Sequence, residues 1–336
     1  MVLHGNNSTI SEDEAALYDR QIRLWGLDAQ KRLRASNVLV IGACGLGAEV
    51  IKNLVLAGVN SLKIVDHRSV TEADSYSNFF VPHDSEEKNV ALASLERVQN
   101  LNPMVNVTAE ALEISQICDN YLSQFSVVCV CGGSKEEISN LNNKCREFGI
   151  LFFAGEVYGM HGYFFEDLID HSYVEEVKAK VETGKSDEKE SSEETKMVKR
   201  QESFIPFSTA IDIDWTSQKY GTRLKRTTPS LFILNVLHEF SFLHKRRPDP
   251  SRREEDEIEL LTIKNSLLDK LSVPQGKLSN DFVKSIFGQV SPICAVVGGV
   301  LGQEIIKAVS GKDAPLNNFF FFSPDDGAGV VENFGY

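Results

Sequence analysis

The chain has 336 residues, 42% of them hydrophobic, and a formal net charge of −13. This is enough apolar material for a full core in roughly one to three domains, and the acidity repels nucleic acid and anionic lipid at long range, which leaves other proteins as the expected partners. No run of membrane-spanning apolarity stands out, and Met1 to Asn7 has neither the basic start nor the apolar stretch of a signal peptide, so an intracellular protein without a membrane partner is expected.

Ser11-Glu12-Asp13-Glu14 predicts a capping box that opens a helix and contributes about 1 kcal/mol. The helix leads into Leu17-Tyr18-Asp19-Arg20-Gln21-Ile22-Arg23-Leu24-Trp25-Gly26, where Arg20 and Arg23 share one face. Two guanidiniums there can grip a polyphosphate, or pair with local acids such as Asp19 or Glu14; spacing alone favours ion pairing.

Asn37 to Ile41 reads as a buried strand, Gly42-Ala43-Cys44-Gly45-Leu46-Gly47 as a tight turn opening a helix, and Leu62 to Asp66 as a second strand. This is a βαβ nucleotide-binding pattern. Gly42, Gly45, Gly47 and Asp66 are its candidate binding residues. Glycine lets the backbone approach phosphate, helix amides point at the anion, and the acid takes a ribose hydroxyl. Cys44, however, occupies the middle glycine position, where a Cβ crowds a phosphate, so the cradle reads as a relic. The same unit also suits an NAD-dependent oxidoreductase.

A helix over Val90 to Leu101 ends near Pro103, and strands are predicted at Val105 to Ala109, Val127 to Val130 and Ile150 to Ala154. Strands alternating with helices imply an α/β fold with a doubly wound, mostly parallel, Rossmann-like sheet. From Glu175 to Arg200 there are eight acidic and seven basic residues and almost nothing apolar, which predicts a disordered insert over 173–205 between two parts of one domain, 1–172 and 206–336.

Beyond the insert, helices are predicted from Pro229, around Glu257 to Leu271, and from Pro292 to Val309. Lys245 to Arg253 forms a basic loop that reads either as a nuclear-import signal or as a solvated loop. Phe319 to Phe322 cannot all face water, so this strand must be covered on both faces or by a partner.

The six cysteines, at 44, 118, 129, 131, 145 and 294, contain no C-x-x-C pair, so no metal site is expected and reduced thiols are. Cys129 and Cys131 share a face of a buried strand and read as core. Cys294 lies in the apolar run Pro292 to Gly299, a poor setting for a thiolate nucleophile.

Tyr18 to Gly26, Leu95-Glu96-Arg97 with Asn100-Leu101-Asn102-Pro103-Met104, and Pro292 to Gly299 together resemble the non-cysteine subunits of SUMO-activating enzymes, nearly end to end apart from the insert. The wider superfamily includes the ubiquitin-like activating enzymes and the bacterial adenylyltransferases for molybdopterin and thiamin sulfur carriers. The resemblance implies a Rossmann-like adenylation domain paired in a heterodimer with a cysteine-bearing subunit. That partner binds ATP and Mg2+ and adenylates SUMO. An active half of this kind carries Asn-x-x-Arg-Gln after the ribose-binding Asp; here Ser77-Asn78-Phe79-Phe80-Val81 has no arginine, which implies a companion half inactive alone. Arg20 matches the family arginine that reaches in trans to the partner's ATP phosphates, with Arg23 a further phosphate candidate. Nuclear residence is implied as well. A binding-only scaffold is the remaining alternative.

Overall fold

The computed structural model describes residues 11–85, 88–183, 190–324 and 327–336, with backbone alone at 178–183 and 190–194. The N-terminal segment read against a signal peptide and the turn at Asp325-Asp326 lie outside the described residues.

Three short helices open the described chain: α1 (Glu12–Leu17), α2 (Asp19–Trp25) and α3 (Leu27–Arg34). The expected capping box is present, with Ser11 Oγ accepting from the Glu14 amide at 3.2 Å and Glu14 Oε2 accepting from the Ser11 amide at 3.1 Å. There follow β1 (Asn37–Ile41), α4 (Gly45–Ala57), β2 (Ser61–Val65), α5 (Glu72–Ser77), α6 (Val90–Gln99), β3 (Asn106–Glu110), α7 (Asp119–Leu122), β4 (Val127–Cys131), α8 (Lys135–Phe148), β5 (Leu151–Tyr158) and β6 (His161–Asp167). The second half contains β7 (Asp170–Thr183), β8 (Glu190–Ser203), α9 (Phe207–Ile211), α10 (Gln218–Arg223), α11 (Pro229–His244), α12 (Arg253–Lys270), α13 (Ser291–Ser310), β9 (Phe319–Phe322) and β10 (Gly329–Glu332).

The main sheet has the order β10-β9-β6-β5-β4-β1-β2-β3. Its half from β5 to β3 is parallel, and β6, β9 and β10 extend it antiparallel. β1 lies between β4 and β2, so the chain reverses its direction of winding there and opens a crevice at the carboxyl ends of these strands. Alternating strand residues feed two cores. Leu39, Val128, Phe152 and Phe319 pack with α8, α11 and α12 on one face; Val40, Cys129, Phe153 and Phe320 pack with α4, α6 and α13 on the other. The phenylalanine strand is thus covered on both sides, as its composition required.

β6 is absent from the sequence reading: its Tyr163, Phe164 and Phe165 are as buried as β5 beside it. An apolar run bounded by Gly-Met and Asp-Leu carries no alternation to distinguish it from a loop in the core.

The charged insert differs from expectation at its stems. Composition predicts disorder over 173–205, yet β7 and β8 pair antiparallel in a ribbon, from Asp170 opposite Ser203 to Thr183 opposite Glu190. Residues 184–189 of the expected disordered stretch lie outside the described residues. Near its base the ribbon is held by Tyr173, which is buried, and by Val174, whose amide donates to the Gly311 carbonyl at 3.0 Å. Backbone pairing needs no apolar side chains, which is why composition conceals it.

α13 also differs from expectation: it is one helix long and apolar enough to cross a bilayer. Here it packs on α4, α3 and the sheet, with Cys294, Val297, Leu301 and Ile305 fully buried. Gly298 and Gly302 lie against Glu49 and Asn53 of α4, where an added Cβ would come within 3 Å of those side chains.

Candidate functional site

The glycine turn sits at the crevice. Gly42 adopts φ +99°, and a Cβ on it would strike the Cys131 carbonyl; a Cβ on Gly47 would strike the Gly42 carbonyl. A Cβ on Gly45 would lie 2.8 Å from Ser77 Cβ and 3.0 Å from Cys294 Sγ. All three glycines are therefore demanded by the packing of the protein itself, with no ligand invoked.

A donor that a nucleotide phosphate needs is engaged: the Gly45 amide, first of α4, donates to Gln289 Oε1 at 2.9 Å, while the Cys44 thiol points to the Cys131 carbonyl at 3.7 Å. Cys44 is the N-cap residue of α4 and is buried; burial first, with Cys131 adding to it, pushes its thiol up to about 11. Asn78 donates to the Ala43 carbonyl at 2.8 Å, stitching the turn to the segment after α5. Phe80, in the segment after α5, is buried in the α4-side core.

Asp66 is also occupied. Its Oδ2 accepts from the Ala43 amide at 2.8 Å and from Arg68 Nη2 at 2.8 Å, and its Oδ1 accepts from the Arg68 amide at 3.0 Å and Arg68 Nε at 3.2 Å. A carboxylate offers about four acceptor positions, so none remains for a ribose hydroxyl. The residues present do not fit a bound nucleoside triphosphate.

A second ion pair closes the phosphate side. Arg247, from the basic loop, pairs with Glu156 of β5, which also accepts from the Tyr158 hydroxyl. Arg247 lies so close to Gly132 (φ +110°) that any Cβ there would strike its guanidinium. Desolvation works against the Arg247 charge, but Glu156 together with Tyr158, Cys44 and Tyr163 more than restores it. Sequence reasoning missed Arg68, Glu156, Arg247 and Gln289. The lone acid in the apolar strand Phe152 to Tyr158 was the one legible sign.

The four arginines of the basic loop are each ion-paired within the protein. Arg246 chelates Asp256 at 2.5 and 2.7 Å, Arg252 pairs with Glu255 at 2.8 Å, and Arg253 with Glu257 at 2.7 Å.

Arg20 and Arg23 lie elsewhere, on α2, and their surroundings differ. Arg23 pairs with Asp19 at 3.0 Å, whereas Glu14 is taken by Arg34 at 2.7 Å. Arg20 is exposed and has no hydrogen bond or ion pair among the described residues. The helix carrying it is anchored on both sides. Tyr18, 2% exposed, lies against Gly58 at the end of α4, and its hydroxyl accepts from Asn102 Nδ2 at 2.8 Å; Gln21 Nε2 donates to the Leu56 carbonyl at 3.1 Å. The segments around Tyr18 and Asn102 thus form one joint.

Residues 18–331 match the ThiF family. The chain belongs to the ThiF family. This ThiF-family chain is 47% identical to SUMO-activating enzyme subunit 1 of Xenopus tropicalis over 98% of each chain, and 48% identical to the Xenopus laevis protein of the same name over 98% of each. It is 47% identical to the Homo sapiens SUMO-activating enzyme subunit 1 over 97% of this chain and 96% of that one. A ThiF domain fits an adenylation role that uses ATP. All six cysteines of this one are free, and Cys294 is fully buried with its thiol raised by that burial, so it offers no nucleophile to solvent.

Proposed function

We propose that this chain is the companion subunit of a SUMO-activating enzyme, inactive alone and needed for ATP-dependent adenylation of SUMO. The partner is a cysteine-bearing subunit that holds ATP and Mg2+ and later forms the thioester. The observation that supports this most is the pairing of full-length likeness to SUMO-activating subunits with a nucleotide turn whose amide and carboxylate groups are already engaged within the chain.

In this reading Arg20 is the chain's contribution to chemistry. Adenylation moves charge onto departing pyrophosphate as the SUMO carboxylate attacks the α-phosphate. A guanidinium presented from the companion neutralises that charge; comparable groups in phosphoryl transfer contribute about 10³ to 10⁵ in rate, a ceiling here. Leaving Arg20 unpaired while Arg23 is consumed by Asp19 suits this use. Arg23 is assigned to holding α2 rather than to phosphate. Gly42, Gly45, Gly47 and Asp66 are assigned to the architecture of the turn. The engaged Asp66 also removes support from an NAD-dependent reaction.

Nuclear residence belongs to the same proposal. It rests on the likeness to the family, since the four arginines of the 245–253 loop are each paired. The deciding experiment is SUMO-dependent ATP–pyrophosphate exchange by this chain alone and with the cysteine-bearing subunit added. Exchange only in the mixture supports the companion role; exchange by the chain alone overturns it.

A further inference from the structure

The ribbon of β7 and β8 leaves the body of the protein beside α2, the helix that carries Arg20. Its stem is fixed there by two backbone hydrogen bonds, from the Val174 amide to the Gly311 carbonyl and from the Asp313 amide to the Val174 carbonyl, both at 3.0 Å. Between the stem, the end of α2 and the second half of α13 runs a groove of about 420 Å³, walled by Leu24, Trp25, Val174, Glu176, Met197 and Gln303. It shares no residue with the crevice at the glycine turn.

The apolar groups of this groove are turned to solvent. Leu24 is 77% exposed, the most exposed large apolar side chain among the described residues, and Met197 is 53% exposed. Met197 stands opposite Glu176 in the ribbon, and Val174 shares their face because strand side chains alternate. Gln303 extends the groove onto the outer side of α13, where Val296, two turns earlier, is 40% exposed on a helix with no charge before Glu304. Leucine, methionine and valine held open on three adjoining elements form the kind of patch that another protein covers.

What covers it follows from Arg20. Leu24 lies one turn beyond Arg20 on the same face of α2. A partner close enough for Arg20 to reach its phosphates therefore lies over Leu24 too, and the ribbon stem beside Leu24 meets the same partner. Charge narrows the chemistry. Glu175 is paired with Arg200, while Glu176 and Asp313 outnumber Lys312 on the lip, so the complementary segment is basic.

We propose that the ribbon stem and α2 form a docking groove for the cysteine-bearing subunit, which seats an apolar side chain flanked by lysine or arginine between Leu24 and Met197. This docking rests on the companion role of the chain and gives the charged insert a part in assembly.

Interferometry with the full chain measures its affinity for the purified cysteine-bearing subunit, and SUMO-dependent exchange is titrated with the same subunit. Met197→Glu and Leu24→Ser, on two separate elements and both at exposed positions, are expected to keep the native thermal midpoint. Each is expected to weaken binding about tenfold or more and to raise the half-saturating partner concentration to match, with the exchange plateau retained. Ile258→Glu is the control, because Ile258 is 69% exposed on α12, which packs on the opposite face of the sheet; it is expected to change neither quantity. Binding that neither groove variant weakens overturns the proposal, as does an equal loss in Ile258→Glu or a lowered plateau at unchanged half-saturation. A native chain that does not bind the cysteine-bearing subunit overturns the companion role together with the groove.

Discussion

The side-chain oxygen of Gln289 accepts the hydrogen bond of the Gly45 amide at 2.9 Å, joining the first turn of α4 to the segment just before α13. In a nucleotide-binding βαβ unit that amide faces phosphate. Here a residue 244 positions downstream satisfies it, and the same stretch of chain brings Cys294 against Gly45. The glycine turn of this chain is a packing joint between two core helices.

Substituting the joint therefore acts on stability rather than on nucleotide. Gly45→Ala forces a Cβ to within 2.8 Å of Ser77 and is expected to cost about 1–3 kcal/mol of stability. Urea denaturation of the chain measures this. ATP affinity of the assembled heterodimer is expected to be unchanged, and a loss of ATP binding by a properly folded variant would return the turn to the nucleotide site.

Arg20→Ala is expected to leave heterodimer assembly intact and to slow SUMO-dependent ATP–pyrophosphate exchange by about 10- to 1,000-fold. Arg23→Ala removes only an exposed pair with Asp19 and is expected to have an effect below about 1 kcal/mol on stability and little on exchange. Equal exchange by native and Arg20→Ala enzymes would leave the chain a scaffold.

Tyr18→Ala removes a buried ring from the joint with Gly58 and Asn102 and is expected to cost about 3–5 kcal/mol. Tyr18→Phe loses only the hydrogen bond, at about 1 kcal/mol. Thermal denaturation of the two, side by side, separates the packing of α2 from its polar anchor.

Arg247→Met leaves Glu156, 1% exposed, without its counter-charge. Because Arg247 is itself partly exposed, the expected loss at pH 7 is about 1–3 kcal/mol, below the range for fully buried pairs. Adding Glu156→Gln is expected to recover most of it. A double variant no more stable than the single one would show that the pair is not the source of the loss.

His238 makes the protein acid-sensitive. In the unfolded chain an ordinary imidazole takes up a proton below about 6.5, whereas in the native fold it stays neutral down to about 3. The unfolded state therefore binds more protons in that window, and stability falls as pH falls through it, by about 2 kcal/mol between pH 7 and pH 5 from this residue. Urea midpoints of His238→Phe across that interval are expected to drop correspondingly less than those of the native chain. Parallel slopes would mean that His238 is not what titrates.

The local elements were legible because their causes are local. The capping box at Ser11, the βαβ turn at Gly42 to Gly47, proline at the start of α11 and near the start of α13, and the fully covered Phe319 to Phe322 strand each follow from residues within one turn or one strand. Spacing, glycine content and apolarity were sufficient for the α/β class and for its mostly parallel core. The burial of Cys294 was also readable, from the apolar run around it.

What only the tertiary structure decided concerns groups that meet across long stretches of chain. Whether Asp66 was free for a ribose depended in part on the Ala43 amide, 23 residues before it; whether the Gly45 amide was free depended on Gln289; whether the basic loop was free depended on Asp256 and Glu156. Arg20 and Arg23 are equivalent by spacing and differ because Asp19 and Arg34 use up the nearby charges. A sequence determines which donors, acceptors and charges exist. Which of them remain available is decided by the partners each finds once distant segments are packed, because a hydrogen-bonding group already satisfied within the fold has little left to offer a ligand.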